Sequence, residues 1–312
     1  MSAPNPAFSD TEGLTKKLRP ITPNLVQKTH SASYSTLSPL RPQLNQSGKT
    51  VLVVGASAGI GLAITRAFAE ASASKIILTG RRSDALLDAA SKLSSEFTKT
   101  KFIARVCDVG NVAESAALWS GLRTDGIFVD VLVLNAAKFG NQQSLLEADL
   151  DTTWSLYETN VRTILDFTQR LYRQEGFVDR QKFIIYVSTA AIHSRALAAS
   201  LPTYSISKMS GHLLLQKISE EVDRNKLQII SFHPGLILSD AGRTAGLNEN
   251  SLPFDNENLP AHWAVWATTS EAAFLHGRFA WAAWDVDEQR SGEVKKRIEN
   301  DPDFLTVGFL GL

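Results

Sequence analysis

Cysteine occurs once in the 312 residues, at Cys107, and methionine twice. A single thiol closes no intrachain disulfide, and with no partner thiols or spaced histidines nearby it makes no Cys-based zinc site; no metal is expected, and a reducing, cytoplasmic setting is. Neither sign of charge is in excess, since 32 Lys and Arg balance 32 Asp and Glu. No global field therefore draws the chain to nucleic acid or to an anionic membrane, and any phosphate recognition has to be local. No apolar run reaches the ~18 residues of a membrane span, and the N-terminus lacks a charged-then-apolar signal pattern. What is present, 44% hydrophobic and 21% charged residues, is the composition of a globular chain with a substantial core.

Residues 1–47 are rich in Ser, Thr, Pro and Asn, and Pro20, Pro23, Pro39 and Pro42 interrupt any helical period. This stretch reads as an irregular arm without its own core. Ser47-Gly48-Lys49-Thr50 looks like the end of a phosphate loop, but Gln43 stands where that motif needs glycine, and a strand follows where it needs a helix.

From Val51 to Gly61 the chain runs VLVVGASAGIG, four apolar β-formers leading into Gly55, Gly59 and Gly61. Glycines at a strand-to-helix junction let the backbone approach a ligand, and the first helical turn presents unpaired N–H groups to an anion, here a pyrophosphate. Lys75 to Thr79 follows as a buried strand, and Gly80, Arg81 and Arg82 occupy the second β-α loop. An acid there would accept from the ribose 2′-OH of NAD, whereas an arginine suits the 2′-phosphate of NADP. Two solvated surface arginines would read the same way. Further strands are expected at Lys101 to Val106, ending in Cys107-Asp108, and at Val129 to Leu134, emptying into Asn135-Ala136-Ala137. A long helix from about Leu150 to Arg173 carries Asn160 in its interior, where an amide is mildly unfavourable. Phe183 to Val187 runs out into Ser188-Thr189, and Leu227 to Phe232 into His233-Pro234-Gly235.

Tyr204 and Lys208 stand one helical turn apart on one face of an amphipathic segment. An ammonium near a phenol stabilises the phenolate and brings its pKa from ~10 toward neutrality, as a general acid/base requires. A partly buried tyrosine with a snorkelling lysine gives the same spacing. Residues 239–262 are Gly, Asn, Ser and Pro rich yet carry Leu247, Leu252, Phe254 and Leu259, which fits a lid over a substrate. Trp263, Trp266, Trp281 and Trp284, in a helix and a final strand, Arg278 to Ala283, read as core or subunit-interface residues. Asp285, Asp287 and Glu288 read as a solvated loop.

Alternating strands and helices with a glycine loop after the first strand imply an α/β fold with its ligand at the carboxyl ends of the strands. With the motifs at those ends, the chain resembles the short-chain dehydrogenase/reductase family from about Gly48 to Asp285. The tail motifs around Leu259 to Trp266 and Trp284 to Glu288, and Ser38 to Pro42 in the arm, resemble a fungal, often secondary-metabolic, branch of it. The resemblance implies one Rossmann-type doubly wound domain over residues 48–312, with about seven parallel strands and helices on both faces. It implies NADP(H) in preference to NAD(H), held by Gly55, Ser57, Gly59, Ile60, Gly61, Arg81, Arg82, Asp108, Asn135, Pro234, Gly235, Ile237 and Ser239, with Tyr204 and Lys208 contributing. It assigns Tyr204 as the proton donor, Lys208 as its partner on the nicotinamide ribose, and Asn160 as holder of a relay water. Where the family has a serine as the second of two, this chain has Ser188 followed by Thr189, 15 residues before Tyr204, so either hydroxyl could serve. Ala137 replaces the usual glycine. The implied substrate is a carbonyl or alcohol on a hydrophobic, polyketide-like body, and the helices carrying Asn160 and Tyr204 would pair in a homodimer or homotetramer. Two competing readings are a serine hydrolase, since Gly55-Ala56-Ser57-Ala58-Gly59 fits a nucleophile elbow but sits on the first strand, and a non-catalytic NADP(H)-binding regulator of the same fold.

Overall fold

Runs of Val, Ile and Leu too short for helices and buried on both sides fix the strands of the sheet. The computed structural model describes residues 25–140, 143–175, 180–239, 243–244 and 246–308. The strands are β1 (Thr50–Val54), β2 (Lys75–Gly80), β3 (Lys101–Val106), β4 (Val131–Leu134), β5 (Lys182–Val187), β6 (Leu227–His233) and β7 (Phe279–Trp281). They form one seven-stranded sheet in the order β3-β2-β1-β4-β5-β6-β7 with every pairing parallel. The chain reverses its direction of travel across the sheet between β1 and β4, which opens a crevice at their carboxyl ends.

Alternate residues of each strand point to opposite faces. On one face Leu52, Leu132 and Ile184 pack with Leu118 of α3 (Val112–Thr124), Phe167 of α5 (Thr163–Tyr172) and Leu215 of α7 (Pro202–Glu221). On the other, Val51, Val133 and Ile185 pack with Phe68 of α1 (Gly59–Glu70), Leu86 of α2 (Ser83–Glu96) and Trp263 and Trp266 of α8 (Asn258–Trp266). All four tryptophans singled out in the sequence are buried.

Three elements differ from the sequence reading. The long central helix is divided into α4 (Leu150–Tyr157), a π turn over Glu158–Arg162 and α5, with the Thr163 N–H bonded to Glu158 O. Strand β7 is shorter than expected: Arg278 O still accepts from Ser231 N–H at 3.1 Å and Ala282 N–H donates to His233 O at 3.0 Å, but the chain turns back after Trp281, where Trp284 N–H bonds to Trp281 O. Asp285 is buried rather than solvated: it caps α9 (Val286–Gln289) by accepting from the N–H groups of Asp287 and Glu288 and pairs with His30 at 2.8 Å.

That pairing belongs to a longer seam. Residues 25–47 lie along the domain, with Leu37 and Leu44 at 0% exposure in its core. The Ser33 hydroxyl is hydrogen-bonded to His262 at 2.6 Å, Thr36 donates to Asp287 at 2.6 Å, and Arg41 grips both oxygens of Glu271 at 2.8 and 3.2 Å. Residues 1–24 of the arm, and 240–242 and 245 of the expected lid, lie outside the described residues. In the rest of that stretch Leu247 and Leu252 are buried. No described helix is long and apolar enough to cross a membrane.

Candidate active site

The glycine turn after β1 is built for close approach. Gly55 and Gly59 have φ of +81° and +52°, the left-handed region that glycine enters freely. A Cβ on Gly61 would collide with the Gly55 carbonyl and the Asn135 amide. Asn135 fixes the turn from the neighbouring strand, its Nδ2 donating to Gly55 O at 3.0 Å and Val54 O at 3.3 Å. Helices α3 and α4 are capped by the side chains of Asn111 and Asp149, but Ala58 at the start of α1 offers no cap. The first N–H groups of α1, including that of Ile60, are thus left for an anion. This cradle fits the pyrophosphate of a dinucleotide.

In the second β-α loop Arg81 and Arg82 are both exposed, and Arg82 reaches back to the glycine turn, its Nη2 donating to Ser57 Oγ at 3.3 Å. Asp108, just past β3, accepts from the Gly110 N–H at 3.0 Å. Beyond β6, Gly235 has φ +96° and leaves no room for a Cβ beside the Asp255 carboxylate, which accepts from the Leu236 N–H at 2.8 Å. Pro234, Ile237 and Ser239 continue this loop, with Ser239 exposed at its far end.

At the end of β5 the two neighbouring hydroxyls part company. The Thr189 hydroxyl lies beside the Tyr204 phenol, whose pKa it lowers against the effect of burial, and accepts from the Ala191 N–H at 3.2 Å. Ser188 points the other way, its hydroxyl buried without a partner among the described residues. Tyr204 is 7% exposed, and burial raises its phenol well above the usual value, offset by the Thr189 hydroxyl. The lysine is placed differently from the sequence argument. Lys208 Nζ donates to Val187 O at 2.8 Å and lies 4.1 Å from the centre of the Tyr186 ring. Burial pushes the Lys208 ammonium itself down to about 7. Asn160, in the π turn, has its amide fully engaged: it accepts from Lys138 N at 2.8 Å and donates to Lys138 O and Ser207 Oγ, each at 2.9 Å. It therefore ties the loop after β4 to α7.

With this arrangement in view, comparison with known proteins is decisive. The model of the short chain dehydrogenase family matches residues 49–250. The chain belongs to that family. Among its relatives, a short chain dehydrogenase/reductase of Claviceps purpurea is 32% identical over 92% of this chain and 95% of the relative. Short chain dehydrogenase/reductase AacuD of Aspergillus aculeatus is 31% identical over 91% of this chain and 96% of the relative. The fold superposes on L-sorbose reductase from Gluconobacter frateurii, solved with NADPH and L-sorbose, at a TM-score of 0.66 and 22% identity, covering 77% of this chain and 96% of that one. Pseudomonas aeruginosa RhlG, solved with NADP, gives 0.68 at 20% identity, covering 77% and 97%.

For a short chain dehydrogenase, three residues of this site were not visible in the sequence. Lys138 and Ser207 hold Asn160 through contacts that have no motif. Phe139 stacks on Tyr204, ring centroids 4.4 Å apart and 19° from parallel, while remaining 64% exposed. An exposed phenylalanine has no sequence signal that separates it from any loop residue.

Proposed function

We propose that this short chain dehydrogenase is an NADP(H)-dependent reductase of a carbonyl group on a hydrophobic small molecule, housed in a single domain of residues 48–312. The observation that carries the reading is the Thr189 hydroxyl beside the buried Tyr204 phenol past the end of β5, together with the uncapped glycine turn after β1. When bound, the nicotinamide supplies a hydride to the carbonyl carbon, and negative charge develops on the carbonyl oxygen. Tyr204 gives its phenolic proton to that oxygen. Thr189 Oγ1 accepts from Ala191 N–H, and its one hydroxyl hydrogen, directed at the Tyr204 phenol without substrate, would turn to the same carbonyl oxygen when a substrate is bound. Lys208, close to its protonation midpoint near neutral pH, places a cation by the nicotinamide ribose and re-protonates the site. The Asn160 side chain holds the walls, so a relay water is left to its backbone carbonyl.

Gly55, Gly59, Ile60 and Gly61 would hold the pyrophosphate, Asp108 the adenine, Asn135 the ribose side, and Pro234, Gly235, Ile237 and Ser239 the nicotinamide. Arg82, hydrogen-bonded to Ser57, is the better placed of the two arginines to grip a 2′-phosphate, with Arg81 beside it. The exposed Phe139 beside Tyr204 supports an apolar substrate body, and exposed Trp154 and Leu165 on α4 and α5 support pairing of two copies through these helices.

The test is a fluorescence titration with NADPH and with NADH, followed by a carbonyl panel assayed on the native chain and on Tyr204→Phe. Tighter NADPH binding and turnover that falls about 10²- to 10⁴-fold in the variant support the reading. Binding without turnover of any carbonyl would assign a regulator instead, and absence of binding would remove the cofactor reading altogether.

A further inference from the structure

Away from the glycine turn and the Thr189–Tyr204 pair, a cavity of about 370 Å³ lies between α7, β7 and the segment 304–307. Half of the residues lining it carry rings: His193, His212, Phe279, Trp281, Trp284 and Phe304. Neither Thr189, Tyr204, Lys208 nor any residue of the glycine turn lines it. We infer that this cavity is a binding site for a planar aromatic small molecule of two or three fused rings bearing oxygen acceptors, separate from the catalytic crevice.

Size sets the number of rings. An engineered cavity of about 150 Å³ takes up one benzene, so a space of about 370 Å³ accommodates a molecule about twice as large. The shape of the walls favours a flat guest. His193 and His212 meet Phe279 edge-on at 5.6 and 5.5 Å, and Trp281 and Trp284 stack on each other, 18° apart with centroids at 6.1 Å, so the rings brace one another into a rigid aromatic wall against which a flat guest can lie.

Polar groups around the cavity specify the rest. Both ring nitrogens of His212 and the indole nitrogens of Trp281 and Trp284 are buried without a partner among the described residues. His212 is 1% exposed and Trp284 likewise. Burial holds His212 down to about 4 and lowers His193 as well, so both are neutral at physiological pH and ask for an uncharged guest. Indole N–H groups can only donate, so what is missing is an acceptor, and a hydroxyl or carbonyl oxygen on the ring system supplies it. A pure hydrocarbon would leave these donors unmet.

The outer wall is deliberately held. Leu305, which lines the cavity, has φ +60°, a left-handed conformation that a branched side chain adopts only under constraint. That constraint comes from three ties: Phe279 N–H to Leu305 O at 2.9 Å, Arg278 to Phe304 O at 2.9 Å, and Gln216 to Val307, accepting from its N–H at 2.8 Å and donating to its carbonyl at 3.3 Å. The Arg297 guanidinium covers the Phe304 ring at 3.9 Å.

The experiment is a calorimetric titration of the full chain with 2-naphthol, without cofactor and again with NADPH present. It is repeated on His212→Leu, which removes the unpartnered imidazole while keeping the wall apolar, on Thr306→Trp, which fills the cavity, and on Tyr204→Phe. Expected is one site per chain whose Kd rises at least tenfold in His212→Leu and in Thr306→Trp, and stays within twofold in Tyr204→Phe and with NADPH. Because the cofactor-free titration needs no redox chemistry, failure of the reductase reading would leave this result intact. No binding, binding indifferent to both cavity variants, or binding lost in Tyr204→Phe would overturn the inference. So would binding that appears only after residues 1–24 are removed, since the chain would then be its own guest.

Discussion

Thr189, and not Ser188, is the hydroxyl that lowers the Tyr204 phenol against the pull of burial; Ser188 Oγ is buried without a partner among the described residues. The two hydroxyls are adjacent in sequence, and the alternation of a strand sends them to opposite sides as β5 runs out. Thr189→Ala should therefore lower kcat/KM for carbonyl reduction by about 10²- to 10³-fold, the usual cost of losing one oxyanion donor. Thr189→Ser should stay near native, and Ser188→Ala should change kcat/KM little. Steady-state kinetics on the three variants decide it, and a larger loss in Ser188→Ala would reverse the assignment.

Arg82 rather than Arg81 touches the glycine turn, through Ser57. A charge-assisted hydrogen bond to phosphate is worth roughly 1.5–3 kcal/mol, so Arg82→Ala should weaken NADPH about 10- to 150-fold while leaving NADH almost unchanged. Arg81→Ala should cost less. Fluorescence titration with both cofactors reads the difference directly; equal losses for NADPH and NADH would show that Arg82 does not meet the 2′-phosphate.

The sheet and the placement of Tyr204, Lys208 and the glycines at strand ends were legible because they rest on local pattern: apolar runs, glycine positions and a one-turn spacing. What the pattern could not show depends on where side chains end up. The arm offered six prolines and no helical period, and nothing in Leu37 or Leu44 announced a place in the core of the main domain. Asp285 read as solvated because its acidic neighbours dominate the local charge, whereas a capping role and His30 keep it inside. The π turn at Asn160 left no trace in a pattern that fits an unbroken helix. For Lys208, spacing gave the face of the helix but not the direction of Nζ, which is set by the Val187 carbonyl.

Leu37 is fully buried against the main core although it belongs to the arm. Leu37→Ala should destabilise the whole domain by about 2–5 kcal/mol, as for any core leucine truncated without collapse of its site. Urea denaturation of native and variant chains checks this. A change under about 0.5 kcal/mol would mean that the arm detaches at little cost.

His212 should leave a signature in the pH dependence of stability. Burial lowers it from 6.5 to about 4, so between those values the unfolded chain binds a proton that the folded chain refuses. Stability accordingly falls on acidification through that window, and this contribution is fully lost below pH 4. His212→Leu, lacking the group, should lose about 2 kcal/mol less than native between pH 6.5 and 5. Denaturant midpoints at the two pH values measure it; parallel losses would mean that the imidazole is not held neutral.

The seam between residues 25–47 and the far end of the chain also dictates the order in which the molecule can be assembled. During synthesis β1 can meet β2 early, but Val51 pairs with Val131 only once β4 has emerged. The arm waits longer still, because Thr36 finds Asp287 across 251 residues. At ~5–20 residues per second that interval is roughly 10–50 s, during which Leu37 and Leu44 have no core to enter. A segment made before the sheet is thus docked after it, and it closes the domain only once the last strand is in place.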